Sequence, residues 1–200
     1  DKVSEKLDGQ NLMISWVDGQ LKAARNKGHL KNGGKSALSA KGMASKFAGR
    51  GNIKTAFVGA MNDLEKAIGS LSKAQQEKVF GNGTKWMNLE VIYPQTSNII
   101  DYDVAEIIFH GTLEYDESGR TIGQGKDSAR MLQGMILQVN QNIQKKFNIG
   151  KPNFLKVPKV QNFGKLKSRF IGKLNKLQSR YGLKDSDRLG MYHESFWKEY

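Results

Sequence analysis

Leu12-Met13-Ile14-Ser15-Trp16-Val17, then Asp18-Gly19, then Gln20-Leu21-Lys22-Ala23-Ala24-Arg25 is the stretch that decides the fold. Asp-Gly between two strand-like runs predicts a hairpin, because a two-residue type I′ turn needs positive φ at both central positions. Pairing across such a hairpin fixes its open end, where two segments meet. One is Glu5-Lys6-Leu7-Asp8-Gly9-Gln10-Asn11 and the other is Arg25-Asn26-Lys27-Gly28. A lysine followed at once by Leu-Asp-Gly at the mouth of a sheet is a candidate covalent nucleophile, with Arg25 fixed near it.

Working outward, Asn52 is placed to cap a helix over residues 53–68, with Phe57, Met61, Leu64 and Ile68 on one face at 3.6 spacing. Ser72 followed three residues later by Gln75 reads as a capping box, and Gly81 as the stop of that second helix. Residues 85–94 read as a strand in which Glu90 projects to one face and Leu89 and Val91 to the other. Residues 104–111 form the next strand, ahead of a turn at Asp116-Glu117-Ser118-Gly119. A helix capped by Asp127 is expected over residues 126–147, then a loop over 150–163. A basic amphipathic helix follows over 164–181, with Leu166, Phe170, Leu174 and Leu177 on one stripe, and a last helical piece over 185–200. Strands interrupted by helices without a βαβ rhythm predict an α+β fold, an antiparallel sheet core with flanking helices.

The net charge of +13 points to a polyanionic partner. Its distribution says more than its total. Residues 20–54 hold nine Lys/Arg and no acid, residues 128–184 again hold no acid, and the middle of the chain is acidic on balance. Lys22, Lys27, Lys31, Lys35, Lys165, Lys167 and Arg169 are the candidate nucleic-acid contacts. The absence of cysteine excludes disulfides and thiolate metal sites, and it fits a reducing compartment. No apolar run approaches the roughly 20 residues of a membrane-spanning helix. Gly33-Gly34-Lys35-Ser36 suggests a phosphate loop, but the glycine spacing is off by one and no strand feeds it. A basic loop over residues 28–51 that closes on a nucleotide or nucleic acid is the expectation instead.

Lys6-Leu7-Asp8-Gly9 resembles the K-x-D-G motif of the covalent nucleotidyltransferases, the ATP-dependent DNA and RNA ligases and the mRNA capping enzymes. Arg25-Asn26-Lys27-Gly28 falls where those proteins carry an Arg-Asn-x-Gly-like segment. Leu89-Glu90-Val91-Ile92-Tyr93-Pro94 and the later strand with Ile107-Ile108-Phe109 resemble motifs III and IIIa of phage RNA ligases of the tRNA-repair type. The likeness covers about residues 1–120 and implies that residues 1–125 are a partial nucleotidyltransferase (adenylation) core. Residues 126–200 are then a basic helical segment or insertion. Two further family motifs, a Glu-Gly strand and a Lys-x-Lys strand, are not found: the 200 residues either end before them or lack them.

The resemblance implies an ATP-dependent RNA ligase working with Mg²⁺ in the cytoplasm, that of a phage-infected cell or another reducing compartment. Lys6, Asp8 and Arg25 would be catalytic. Lys6, Gly9, Arg25, Glu90 and Phe109 would bind the nucleotide, Glu90 gripping the ribose and serving as metal ligand, Phe109 stacking on the base. Asp8 would orient the lysine or hold a metal-bound water. RNA or another nucleic acid would be the partner, with no membrane and no disulfide. A DNA ligase or GTP-using capping-type transferase, and a non-catalytic nucleic-acid-binding protein of degenerate ligase-like fold, stand as alternatives.

Overall fold

A computed structural model of the chain describes residues 3–125, 127–141, 143–155 and 163–199. It divides into two compact units, residues 1–155 and 156–200. In the first, the strands are β1 (Val3–Ser4), β2 (Gln10–Val17) and β3 (Gln20–Ala24), then, after helices α1 (Ala40–Lys46), α2 (Gly51–Gly69) and α3 (Lys73–Phe80), β4 (Lys85–Ile92), β5 (Glu106–Tyr115) and β6 (Thr121–Gly125). Helix α4 (Ser128–Val139) and the short strands β7 (Asn148–Gly150) and β8 (Phe154–Leu155) complete it. The main sheet runs β3-β2-β4-β5-β6 with every pair antiparallel. β7 adds a short parallel pairing to β5, while β1 and β8 form a separate two-stranded ribbon. The fold is α+β, and α4 and β7 fall inside the first unit rather than beginning the second.

The hairpin is built as its sequence predicts. Val17 pairs with Gln20 across the turn, and Asp18 and Gly19 both take positive φ, 49° and 76°. Leu12, Ile14, Leu89, Val91, Ile107 and Phe109 are completely buried in one cluster with Phe57, Met61 and Leu64 of α2. Register partners point to the same side of a sheet. Asn11 pairs with Glu90 and Met13 with Asn88, so these four side chains occupy the face opposite the core.

The capping box at α3 forms: the Gln75 amide donates to Ser72 Oγ at 3.3 Å and the Ser72 amide to Gln75 Oε1 at 2.9 Å. Gly81 ends the helix in the left-handed region. Asn52, by contrast, lies inside α2 one residue past its start, and its side chain donates to the Gln95 carbonyl at 2.7 Å. The helix expected over 126–147 stops at Val139. Buried Asn140 ends it by donating to the Ala67 carbonyl at 2.9 Å and accepting from Ser70 Oγ at 2.8 Å. Lys126 and Asn142 of the helix expected over 126–147, Tyr200 at the end of the last predicted helix, and residues 156–162 of the predicted loop lie outside the described residues.

The expected basic loop over residues 28–51 is instead ordered structure. Leu38 bridges Ala23 through two backbone hydrogen bonds, 3₁₀ turns run over Lys27–Leu30 and Asn32–Gly34, and Ser39 caps α1. In Gly33-Gly34-Lys35-Ser36, Gly33 supplies a turn at φ 62° with open space about it, and Gly34 serves packing. Gly34 has φ 79°, and a Cβ there would fall 2.5 Å from Cζ2 of buried Trp86. Gly34→Ala is expected to lower stability by about 2–4 kcal/mol, from overpacking plus left-handed strain, measured by denaturant unfolding.

In the second unit, helices α5 (Phe163–Tyr181) and α6 (Leu189–Trp197) are tied by a polar link at Tyr192. Its hydroxyl accepts from Gln178 Nε2 at 2.7 Å and donates to the Lys184 carbonyl at 2.9 Å. Lys165, Lys167 and Arg169 are exposed on α5.

Candidate functional site

Two anchors hold the Lys-x-Asp-Gly segment. On its N-terminal side, β1 pairs with β8 and the Glu5 amide donates to the Asn153 carbonyl at 3.3 Å. On its C-terminal side, the Gly9 amide donates to Glu90 Oε1 at 2.8 Å and the Asp8 amide to the Tyr102 hydroxyl at 2.9 Å. Lys6 stands on the arch between them. It is exposed, and its ammonium has no hydrogen-bond or ion-pair partner among the described residues.

Asp8 acts as a staple. Its Oδ2 accepts from the backbone amides of Ile99 and of Ile100, the latter at 3.1 Å, which binds the arch to the loop after β4. That oxygen is committed to backbone rather than to Lys6 or a metal-bound water. Gly9 is required by close approach: a Cβ would lie 2.8 Å from the Val91 carbonyl oxygen and 2.9 Å from Glu90 Cγ. The neighbour that excludes a side chain here is β4 itself. Gly9→Ala is expected to push the arch off β4, break the bond to Glu90 and cost about 1–3 kcal/mol. Faster hydrogen exchange at residue 9 together with a lowered Tm checks this.

Glu90 is mostly buried, its side chain 16 % exposed. Its second oxygen lies 3.1 Å from Nε2 of His110. His110 sits where the β4–β5 register slips: Leu89 pairs with Phe109 but Asn88 with Gly111, leaving His110 as the extra residue of a bulge. Phe109, the expected base-stacking ring, is completely buried in the core on the other side of the sheet. Period-two alternation explains the correction, since Phe109 shares its face with Ile107 while Ile108 pairs with Glu90. His110 and Ile108 are therefore the β5 residues beside Glu90.

The expected metal role of Glu90 finds no support in its surroundings. Its oxygens face the Gly9 amide and His110, and among the described residues no group of three or more His, Asp or Glu is assembled to hold a metal ion.

Arg25, just past β3, donates from Nη1 to the Asn11 carbonyl, and Asn11 is the register partner of Glu90. Its guanidinium carbon stands 4.9 Å from the Phe57 ring centroid and 5.8 Å from that of Phe47. Desolvation against these rings, and then the charge of Arg50, hold its pKa below the ordinary value. A cavity of about 530 Å³ opens beside it, lined among others by Asn11, Met13, Arg25, Lys27, Tyr115 and Arg120. Arg120 is oriented by Asp116, 3.0 Å away; the Ser118 hydroxyl and Arg120's own amide hold the Asp116 carboxyl well below the usual range. Lys6 and Glu90 are not among the lining residues.

The structure thus joins Gly9, Asp8, Glu90, Asn11 and Arg25 through direct bonds and register, with Lys6 on the adjoining arch. Of the basic candidates, Lys27 lines the cavity, Lys31 and Lys35 are exposed where the two 3₁₀ turns end, and Lys22 is half-buried on β3 opposite Ser15. Lys165, Lys167 and Arg169 belong to the other unit. Sequence reasoning missed Asn11, Tyr102, His110 and Arg50. Asn11 alone carried a signal, as the polar residue that strand alternation puts on the face away from Leu12. Across known proteins, no family model, no curated protein and no solved structure matches the chain.

Proposed function

We propose that this chain carries the nucleotide-accepting part of an ATP-dependent RNA ligase, in which Lys6 takes up AMP covalently and passes it to a 5′-phosphate end. The observation that supports the reading most is the hydrogen bond from the Gly9 amide to Glu90. It unites the two segments, eighty-one residues apart, on which the resemblance rests.

The chemistry follows from an unpartnered amine. An amine is a nucleophile only when unprotonated, so the attack needs the Lys6 nitrogen with its lone pair free. Its lone pair then attacks the α-phosphorus of ATP; a P–N bond forms, the bond to the bridging oxygen breaks, and pyrophosphate departs with the electron pair. An oxygen of an RNA 5′-phosphate next displaces the lysine and takes the AMP. A 3′-hydroxyl finally attacks that 5′-phosphorus, loses its proton and expels AMP, leaving a phosphodiester. In this reading Glu90, which Gly9 holds, accepts from a ribose hydroxyl, and Arg25 meets phosphate oxygens.

Incubation with α-labelled ATP, in parallel with GTP, tests this. Label from ATP in an acid-labile, base-stable bond at Lys6 is the expected result; label from GTP instead identifies the capping-type transferase. Absence of label from both, with retained RNA binding, favours the non-catalytic binding protein.

A further inference from the structure

From Arg25 and Arg50 we infer a second anion site, a two-guanidinium clamp for a phosphate group, built on the ring of Phe47 where α1 meets α2. The Arg50 guanidinium carbon stands 5.6 Å from the centroid of Phe47, the ring that also carries Arg25 at 5.8 Å. Phe47 and Phe57 are buried and in contact, centroids 4.9 Å apart, so the platform under the charges is rigid.

The arrangement lacks what normally accompanies it. Neither arginine has an ion-pair partner among the described residues, and residues 20–54, which supply both, contain no acid at all. The two like charges act on each other, Arg50 adding to the desolvation that lowers the pKa of Arg25, and an anion that both contact removes that repulsion. Arginine's planar fork matches phosphate oxygens two at a time, and an aromatic ring beneath holds the plane of the fork. The ground around Arg50 is open: it is exposed, and a Cβ added at Gly49 or Gly51 would meet nothing within 4 Å. Arg25's bond to the Asn11 carbonyl uses Nη1 and leaves its other donors for a ligand.

Because the clamp shares Arg25 with the proposed nucleotide site, the origin of its phosphate rests on that reading: either the polyphosphate tail of the nucleotide or the 5′-phosphate of the RNA strand. The test is equilibrium binding, without turnover. Inorganic tripolyphosphate and a short single-stranded RNA bearing either a 5′-phosphate or a 5′-hydroxyl are titrated into the whole chain. Wild type is compared with Arg50→Gln, Arg50→Lys and, as a charge control on α3, Lys73→Gln. Arg50→Gln is expected to weaken one phosphate probe about tenfold or more, Arg50→Lys less, and Lys73→Gln only slightly. Weakened tripolyphosphate binding assigns the clamp to the nucleotide tail. A lost preference for 5′-phosphate over 5′-hydroxyl assigns it to the strand. Arg50→Gln behaving like Lys73→Gln with every probe overturns the clamp. Arg50 is exposed, so an unchanged Tm is expected to show each variant folded. Lysine labelling without an Arg50 effect sinks the clamp alone, and an Arg50 effect without labelling sinks the ligase reading alone.

Discussion

Lys6→Ala is expected to remove nucleotide labelling, by roughly a thousandfold or more, as loss of a covalent nucleophile does. The size follows from chemistry that no neighbour can replace. Asp8 has one oxygen committed to the Ile99 and Ile100 amides, and Gly9 and Glu90 hold each other. None of them offers an amine. Lys6→Arg is expected to be equally inactive, because a guanidinium stays protonated and its nitrogens are poor nucleophiles. The same variants are expected to leave stability within about 0.5 kcal/mol of wild type, since the exposed Lys6 side chain has no polar partner to lose among the described residues. Labelling by autoradiography and unfolding by circular dichroism separate the two outcomes; full labelling of Lys6→Ala would end the assignment.

Trp86→Ala carries the largest expected effect on stability, a loss of about 3–5 kcal/mol in denaturant unfolding. Trp86 on β4 is completely buried, and its indole N–H donates to the Gly83 carbonyl at 2.8 Å. It packs in a small cluster with Val17, Ala24, Leu30 and Ala37, under the Gly33-Gly34 turn. Removing the ring opens a void beneath the Gly33-Gly34 turn and takes away the donor to the Gly83 carbonyl. Against a total of about 5–15 kcal/mol for an ordinary domain, that loss is large. Trp86→Phe keeps most of the volume and forfeits the hydrogen bond, with an expected cost of about 1–2 kcal/mol.

What the chain discloses in one dimension is what short-range chemistry decides. The Asp18-Gly19 turn, the Ser72–Gln75 box and the Gly81 stop depend on residues within a few positions of each other, and all three form as expected. So does the facing of Glu90 against Leu89 and Val91. What was illegible depends on distant partners. The β5 bulge follows from how β4 and β5 meet around Gly111, whose φ of 136° suits only glycine, and nothing near His110 announces it. Helix α4 ends where Asn140 finds Ala67 and Ser70 across the fold, although residues 141–147 look locally compatible with more helix. Strand β6, Thr-Ile-Gly-Gln-Gly, has too little side chain to pattern; it pairs because Gly125 can approach Thr112, whose Oγ1 would lie 2.4 Å from a Cβ. The Lys6 segment was legible as a motif, while the residues that seat it, Tyr102, Ile99 and Asn153, were not.

The β1–β8 ribbon sets a timetable. Val3 pairs with Leu155 and Ser4 with Phe154, so the support on the N-terminal side of Lys6 is contributed by the last strand of its unit. On a ribosome adding about 5–20 residues per second, the hairpin behind Lys6 can zip early, yet the arch stays tethered at one end only until Phe154 has cleared the exit tunnel. Nascent protein would therefore acquire its sheet well before the arch that carries Lys6 is held at both ends, which happens only after the whole unit has been synthesised.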